Sequence, residues 1–407
     1  MVNIIWEKRK IQFLPTLLIN KQKMNNRFIM KFLPCIFSLF IFFQIEAKEY
    51  SKKIEVDSIK QVVTDVVLWQ INAYPNMNDN RVWKELNDMT WANGVFLSAL
   101  ATWLDYSDSP EIKNWCLNIA HQNNYATNTS QNSIYFADDF AICLMYAKLY
   151  EKEHNKRMLH HSLAKLDFVI NNPVRNSLQM KTLDSKDRWS WADALYMAPP
   201  SFAAFSKITG DIKYLSFMDQ EFWATYDYLY DKNDSLFYRD SNYFGKKEKN
   251  GKKVFWGRGN AWVVGGLCQI LNYMPADFPS RSRYKQLFTE MMIKIASLQD
   301  NQGYWHASML DPESYPSPET SSTGLFTYAL WWGINQGLLE ESRFKQQAIK
   351  GWRALVEAVH SDGMLGWVQP IGADPQKVTR EMTEVYGPGA MMLAAAEIIQ
   401  YISKQNN

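Results

Sequence analysis

The sequence predicts an all-α protein, an (α/α)6 barrel of about twelve helices arranged as six hairpins. Three observations carry that expectation. Apolar residues recur at helical spacing in one segment after another, strand-type alternation is scarce, and Pro and Gly fall where the periodic segments start and stop.

In chain order, the first segment, 57–73, aligns Ile59, Val62, Val66 and Trp69 on one face. Segments near 91–105, 111–122 and 139–151 follow, then 156–171 with Leu159, Leu163, Leu166 and Ile170. Pro199-Pro200 opens 200–209 and Gly210 closes it, as Pro at a helix start and Gly past its end require. After 213–229 comes 260–274, where Val263, Leu267, Ile270 and Met274 share a face and Pro275 stops the helix. The series ends with 283–299, 323–336, 344–359 and 388–403, the last carrying Met391, Ala394, Ala395, Ile398 and Ile402. The obvious non-helical excursion is 235–256, where Asn250-Gly251 can turn a small β-hairpin. No linker interrupts the chain, so 48–407 reads as a single domain. An open α-solenoid is the competing arrangement, but no repeat of constant period supports it.

Apolar residues make up 47% of the 407 residues and the net charge is +2, which describes a globular protein with ample core and implies no nucleic-acid partner. Aromatic residues reach 14%, with 16 Trp, enough for ring faces to line a sugar-binding cleft as well as a core. Lys31 followed by the apolar run 32–43 and by Ile45-Glu46-Ala47 reads as a signal peptide. Residues 1–47 are then a leader with an over-extended start, cleaved after Ala47. The mature chain is expected to be exported, periplasmic or secreted, with no stable membrane insertion. Cys116, Cys143 and Cys268 lie in apolar helical patterns and read as buried thiols rather than a disulfide framework.

Cofactor and metal signatures are missing: the chain has no phosphate-binding loop, dinucleotide fingerprint, paired zinc cysteines or His-Glu-x-x-His. No cofactor or metal is therefore expected. What stands out is polar residues set among aromatics between helices. In Arg188-Trp189-Ser190-Trp191-Ala192-Asp193-Ala194-Leu195-Tyr196, one carboxyl lies between two Trp and a Tyr. Desolvation there would raise the pKa of Asp193 and suit it to proton donation, whereas a cap for the helix at Ala194 is the plainer alternative. Trp256-Gly257-Arg258-Gly259-Asn260-Ala261-Trp262 offers a planar guanidinium fork for a carboxylate between two rings. Asp138-Asp139 begin a helix, where one of the two reads as structural. Trp91, Trp305 and Glu319 are candidates for the same mouth. Lys246, Lys247, Lys249, Lys252 and Lys253 form a basic run that would attract an anionic oligosaccharide or simply solvate a turn.

Taken in order, Trp-Ala-Asp-Ala-Leu-Tyr-Met-Ala-Pro-Pro at 191–200, Phe-Trp-Gly-Arg-Gly-Asn-Ala-Trp at 255–262 and Ser-Pro-Glu-Thr-Ser-Ser at 317–322 resemble glycoside hydrolase family 105, over about 57–403. The resemblance implies an (α/α)6 barrel and an unsaturated rhamnogalacturonyl hydrolase. Such an enzyme removes the 4,5-unsaturated uronic acid from lyase-cut pectin fragments. By this resemblance an acid protonates C4 of the C4=C5 bond, water adds at C5, and the resulting hemiketal opens to release the remaining oligosaccharide. Asp193 matches the family acid/base, Arg258 and Trp262 match residues lining the uronate site, and Asp138 or Asp139 falls near a further acid. Where some members place His, this chain has Phe237-Tyr238-Arg239-Asp240, so Arg239 is a candidate to take over the carboxylate. Rival readings are an unsaturated glucuronyl hydrolase acting on glycosaminoglycan, ulvan or arabinogalactan fragments, a sugar epimerase on the same barrel, and a non-catalytic carbohydrate-binding protein.

Overall fold

The computed structural model describes residues 49–73, 89–130, 133–181 and 186–406. The leader expected at 1–47 lies outside the described residues.

Twelve helices longer than two turns are found among the described residues: α1 Val56–Ala73, α2 Trp91–Trp103, α3 Pro110–Gln122, α4 Ala141–Glu153, α5 His160–Asn171, α7 Pro199–Thr209, α8 Ile212–Leu229, α9 Gly257–Tyr273, α10 Arg281–Ala296, α11 Thr320–Asn335, α12 Glu341–Glu357 and α13 Tyr386–Gln405. A single helical turn, α6 Ala194–Met197, precedes α7. The chain alternates between two rings. α2 packs on α4, α4 on α7, α7 on α9, α9 on α11, α11 on α13, and α13 returns to α2. That closure makes a toroid and excludes the open solenoid. Because each outer helix carries the chain back, the inner helices run parallel and their N-terminal ends gather at one mouth.

Burial explains which helix goes where. All of 320–334 in α11 is buried, as an element packed on every side must be. α12 instead buries a stripe including Phe344, Ala348, Trp352 and Leu355, and turns its polar remainder to solvent. Close approach of inner helices rests on small residues: a β-carbon on Gly94 of α2 would lie 2.7 Å from the Ile142 nitrogen of α4. Cys116, Cys143 and Cys268 are free and buried.

Three inner helices begin earlier than apolar periodicity suggests, at Gly257, Thr320 and Tyr386. Their first turns are Gly-rich or polar, so they carry no periodic signal although they are fully helical. The excursion also begins earlier, with β1 Tyr230–Asp231 paired antiparallel to β2 Leu236–Phe237. The expected turn at Asn250-Gly251 is present: Lys247 bridges Lys253, and Gly251 takes a φ of +80° that favours glycine. In the basic run Lys253 is paired with Asp231 at 2.6 Å and Asp234 at 2.8 Å.

Candidate active site

The mouth has an aromatic floor supplied by the N-terminal parts of three inner helices and by α6. Trp91 stacks on Tyr386 with ring centroids 5.5 Å apart, Trp262 meets Tyr386 edge-on at 6.0 Å, and Tyr196 lies against Trp262 at 4.8 Å. Trp91 is the partly exposed member of this group; Trp262, Tyr196 and Tyr386 are buried beneath it. Trp191 stacks on Phe136 at 5.4 Å and forms the adjoining wall.

Segment 188–193 reaches the mouth by pairing with 239–240: Ala192 N–H donates to the Arg239 carbonyl at 2.8 Å, and Trp191 bridges Asp240. This pairing brings Arg239 to Asp193, with Nε 3.5 Å from Oδ2. Asp193 sits at the N-cap position of α6, yet its side chain makes no cap hydrogen bond, and Oδ2 has no hydrogen-bond partner at all. The capping alternative is therefore not what places this carboxyl. Burial raises the Asp193 pKa against the positive charges of Arg239 and Arg258.

The neighbouring aspartates separate cleanly. Asp139 is buried and saturated, accepting from Asn128 Nδ2 at 2.9 Å and from Ser130 N and Oγ at 2.6 Å, with Lys165 3.8 Å away. It anchors the 128–130 loop. Asp138 faces the mouth and its Oδ1 has no hydrogen-bond partner. Burial, then the negative charges of Asp193 and Asp139, push its pKa up to about 8 against Arg239 and Lys186. Two carboxyls and one guanidinium thus share the mouth, with unpartnered atoms Asp138 Oδ1, Asp193 Oδ2 and Arg239 Nε. Buried polar atoms left unpaired are costly and point to a site kept open for a ligand.

Arg258 does not present the expected fork. Its Nη1 donates to the Gln369 carbonyl and its Nη2 to that of Pro370 at 2.9 Å, while its plane lies between the rings of Trp256 at 4.6 Å and Tyr386 at 4.8 Å. It straps segment 369–370 over the mouth and sends its charge toward Asp193. Trp256 is buried and donates through Nε1 to Gln369 Oε1, so its ring faces Arg258 rather than a ligand. Asn260 is likewise spent: it accepts from Phe237 N at 2.8 Å and donates to the Phe237 and Trp256 carbonyls at 3.1 Å. Glu319 caps α11 through Ser321 and Ser322 and takes the Gln369 N–H at 3.1 Å. Trp189 packs against Phe202 and Phe217 between α7 and α8. Trp305 donates to the Ile295 carbonyl and meets Phe326. These six residues are framework. Glu384 and Tyr386 at the start of α13 escaped the sequence reading. Burial lifts Glu384 to about 7 against the Arg258 charge.

The description Glycosyl Hydrolase Family 88 matches residues 60–402. A relative from Alteromonas sp. (strain LOR), named unsaturated 3S-rhamnoglycuronyl hydrolase, is 35% identical over 374 residues, covering 88% of this chain and 90% of its own. A solved glycosyl hydrolase family 88 structure from Bacteroides vulgatus is 29% identical, with a TM-score of 0.74 over 85% of this chain and 99% of its own. A family 105 hydrolase from C. acetobutylicum ATCC 824, 19% identical, shares the fold with a TM-score of 0.66 over 84% of this chain and 99% of its own.

Proposed function

Because the chain belongs to Glycosyl Hydrolase Family 88, we propose that this glycosidase removes a 4,5-unsaturated uronic acid from the non-reducing end of a lyase-generated oligosaccharide in which rhamnose is the next sugar. The observation that carries the reading is the pair Asp138 and Asp193, two desolvated carboxyls with free oxygens beside Arg239. Rhamnose is common to the pectin reading from the motifs and to the relative's name, which joins an unsaturated glycuronyl group to rhamnose. The second reading is a glucuronyl end on sulfated rhamnose: the generic glycuronyl of that name leaves the uronic acid open, and its 3S is taken as a 3-sulfate.

In the resting site Asp138 stays protonated at neutral pH, and burial raises the Asp193 pKa against the opposing charge of Arg239. The substrate carboxylate brings a further negative charge to the free edge of Arg239, which raises the Asp193 pKa and loads it with a proton. Asp193 then gives that proton to C4. As C5 becomes electron-deficient, water adds there and returns a proton to Asp193, so one water is consumed and the enzyme is unchanged. The C5 hydroxyl makes the ring a hemiketal. Its opening makes C5 a ketone and turns the ring oxygen into a hydroxyl on C1, so the anomeric acetal becomes a hemiacetal that collapses to an aldehyde and releases the oligosaccharide, with no attack at the anomeric carbon. Trp91 gives the sugar a ring face.

The test follows loss of the C=C–COO⁻ absorbance on four lyase products: unsaturated galacturonyl-rhamnose, unsaturated glucuronyl-rhamnose with and without a 3-sulfate, and a glycosaminoglycan disaccharide. Turnover of rhamnose-linked ends supports the reading, and the sulfate pair decides between its two forms. Turnover of the glycosaminoglycan disaccharide alone refutes it. Export by cleavage after Ala47 belongs to the same proposal, and N-terminal sequencing of exported protein should begin at Lys48.

A further inference from the structure

Two cavities on the outer wall, of about 440 and 420 Å³, share one face of α10. Arg283, Leu287 and Glu290 line the first and Lys294 the second, at steps of three and four residues that align on one side of the helix, and Leu298 follows just past its end. The turn after β1 borders both, giving Lys232 to one and Asp234 to the other. Together they form a groove along α10, in which Arg283 and Lys294 lie roughly 17 Å apart at 1.5 Å per residue. Its far end is aromatic: Tyr226 and Tyr230 stack at 4.8 Å, and Arg283 lies 3.6 Å over Trp223. Its near end reaches the mouth, because His306 adjoins Ala307, whose carbonyl takes the Gly257 N–H at 2.7 Å where α9 begins.

The charges in the groove do not balance. Asp234 is held by Lys253 at 2.8 Å, Asp300 by His306 at 3.3 Å, and Arg283 is paired with Asp227 at 3.5 Å. Lys232, Lys252 and Lys294 have no carboxylate within ion-pair distance among the described residues, against one unpaired acid, Glu290. Burial disfavours the charged form of His306, but hydrogen bonds to Asp300 and the Ser317 carbonyl outweigh this and hold its pKa above the usual value, so its charge offsets that of Asp300 and the excess rests on the lysines. An elongated groove that combines ring faces with uncompensated cations fits a chain carrying both sugar faces and negative charges.

We propose that this groove is an accessory binding site for an anionic polysaccharide, separate from the catalytic mouth and ending at its rim. The inference stands on the groove's own charges and does not require turnover. A second copy of this chain is the competing occupant.

The probe is saturated polygalacturonate, which has no C4=C5 bond, titrated calorimetrically into wild-type protein and into Lys252→Ser/Lys294→Ser, with neutral galactan as control. Wild type should bind polygalacturonate, more weakly as salt rises, and should bind galactan poorly. The double variant should bind about tenfold more weakly, while its kcat/KM on the shortest unsaturated disaccharide stays at the wild-type level. Undiminished binding by the variant, equal binding of galactan, a parallel loss of disaccharide turnover, or a dimer in sedimentation that the double variant disrupts would each overturn the proposal. If no unsaturated disaccharide is turned over, the proposed function fails, and the titration still decides the groove.

Discussion

Arg239 places its Nε 3.5 Å from Oδ2 of Asp193, and the two form an ion pair without a hydrogen bond. Asp240 holds the other side of the guanidinium through Nη1 at 2.7 Å, so Arg239 is fixed in orientation while one edge stays available. That arrangement lets a single arginine set the charge on the acid and receive a carboxylate.

Arg239→Lys should therefore raise KM for the unsaturated disaccharide by about tenfold or more, since a point charge cannot replace the fork in a charge-assisted contact. Steady-state kinetics on protein shown to be folded checks it. An unchanged KM would remove Arg239 from substrate recognition.

Asp193→Asn should lower kcat by at least ~10²–10⁴, the usual contribution of general acid/base catalysis. Its melting temperature should not fall, because the carboxyl makes no cap hydrogen bond. Near-wild-type loss of the chromophore would move the acid role to Asp138.

Asp138 links activity and stability to pH. Its carboxyl, at about 8 in the fold against 3.8 ordinarily, is protonated in the native state over a range where the unfolded chain is ionised. Stability contributed by this proton uptake is fully present below about 4 and is lost as pH rises toward 8. Asp138→Asn should then stabilise the protein at pH 7 by on the order of 4 kcal/mol. In wild type, ionisation of Asp138 above pH 8 puts a second charge beside the uronate, so kcat/KM should decline there, with KM rising. The variant should lack that alkaline decline; a profile identical to wild type would contradict the assignment.

Arg258→Lys distinguishes a strap from a substrate clamp. Loss of the planar contacts to the Gln369 and Pro370 carbonyls should cost about 2 kcal/mol of stability. A clamp would instead raise KM and leave the melting temperature unchanged.

Glu319→Gln should destabilise α11 by about 1 kcal/mol, because the carboxylate caps the helix and takes the Gln369 N–H. Specific activity per folded molecule should be largely retained, and a thermal melt paired with an activity titration separates the two effects.

The sequence by itself determined the helices, and their closure into a ring was seen only in the tertiary contacts. Apolar positions such as Val263, Leu267 and Ile270 must be buried whatever surrounds them, so their spacing reports the helix directly. The candidacy of Asp193 was legible for a related reason, since a polar group among rings is costly unless something uses it, whereas Arg239 was singled out only through the family resemblance. The destination of each polar atom was decided by tertiary structure alone. Arg258, Asn260 and Glu319 have the chemistry of ligand-binding residues, but beside any local bonds they are tied to Gln369, Pro370 and Phe237, separated from them by 23 to 112 positions in the chain. Asp138 and Asp139 are adjacent and chemically identical, and only the loop carrying Asn128 and Ser130 decides that Asp139 is saturated while Asp138 stays free. A hydrogen bond depends on where its partner stands in space, and chain spacing encodes that position only for partners within a turn or two.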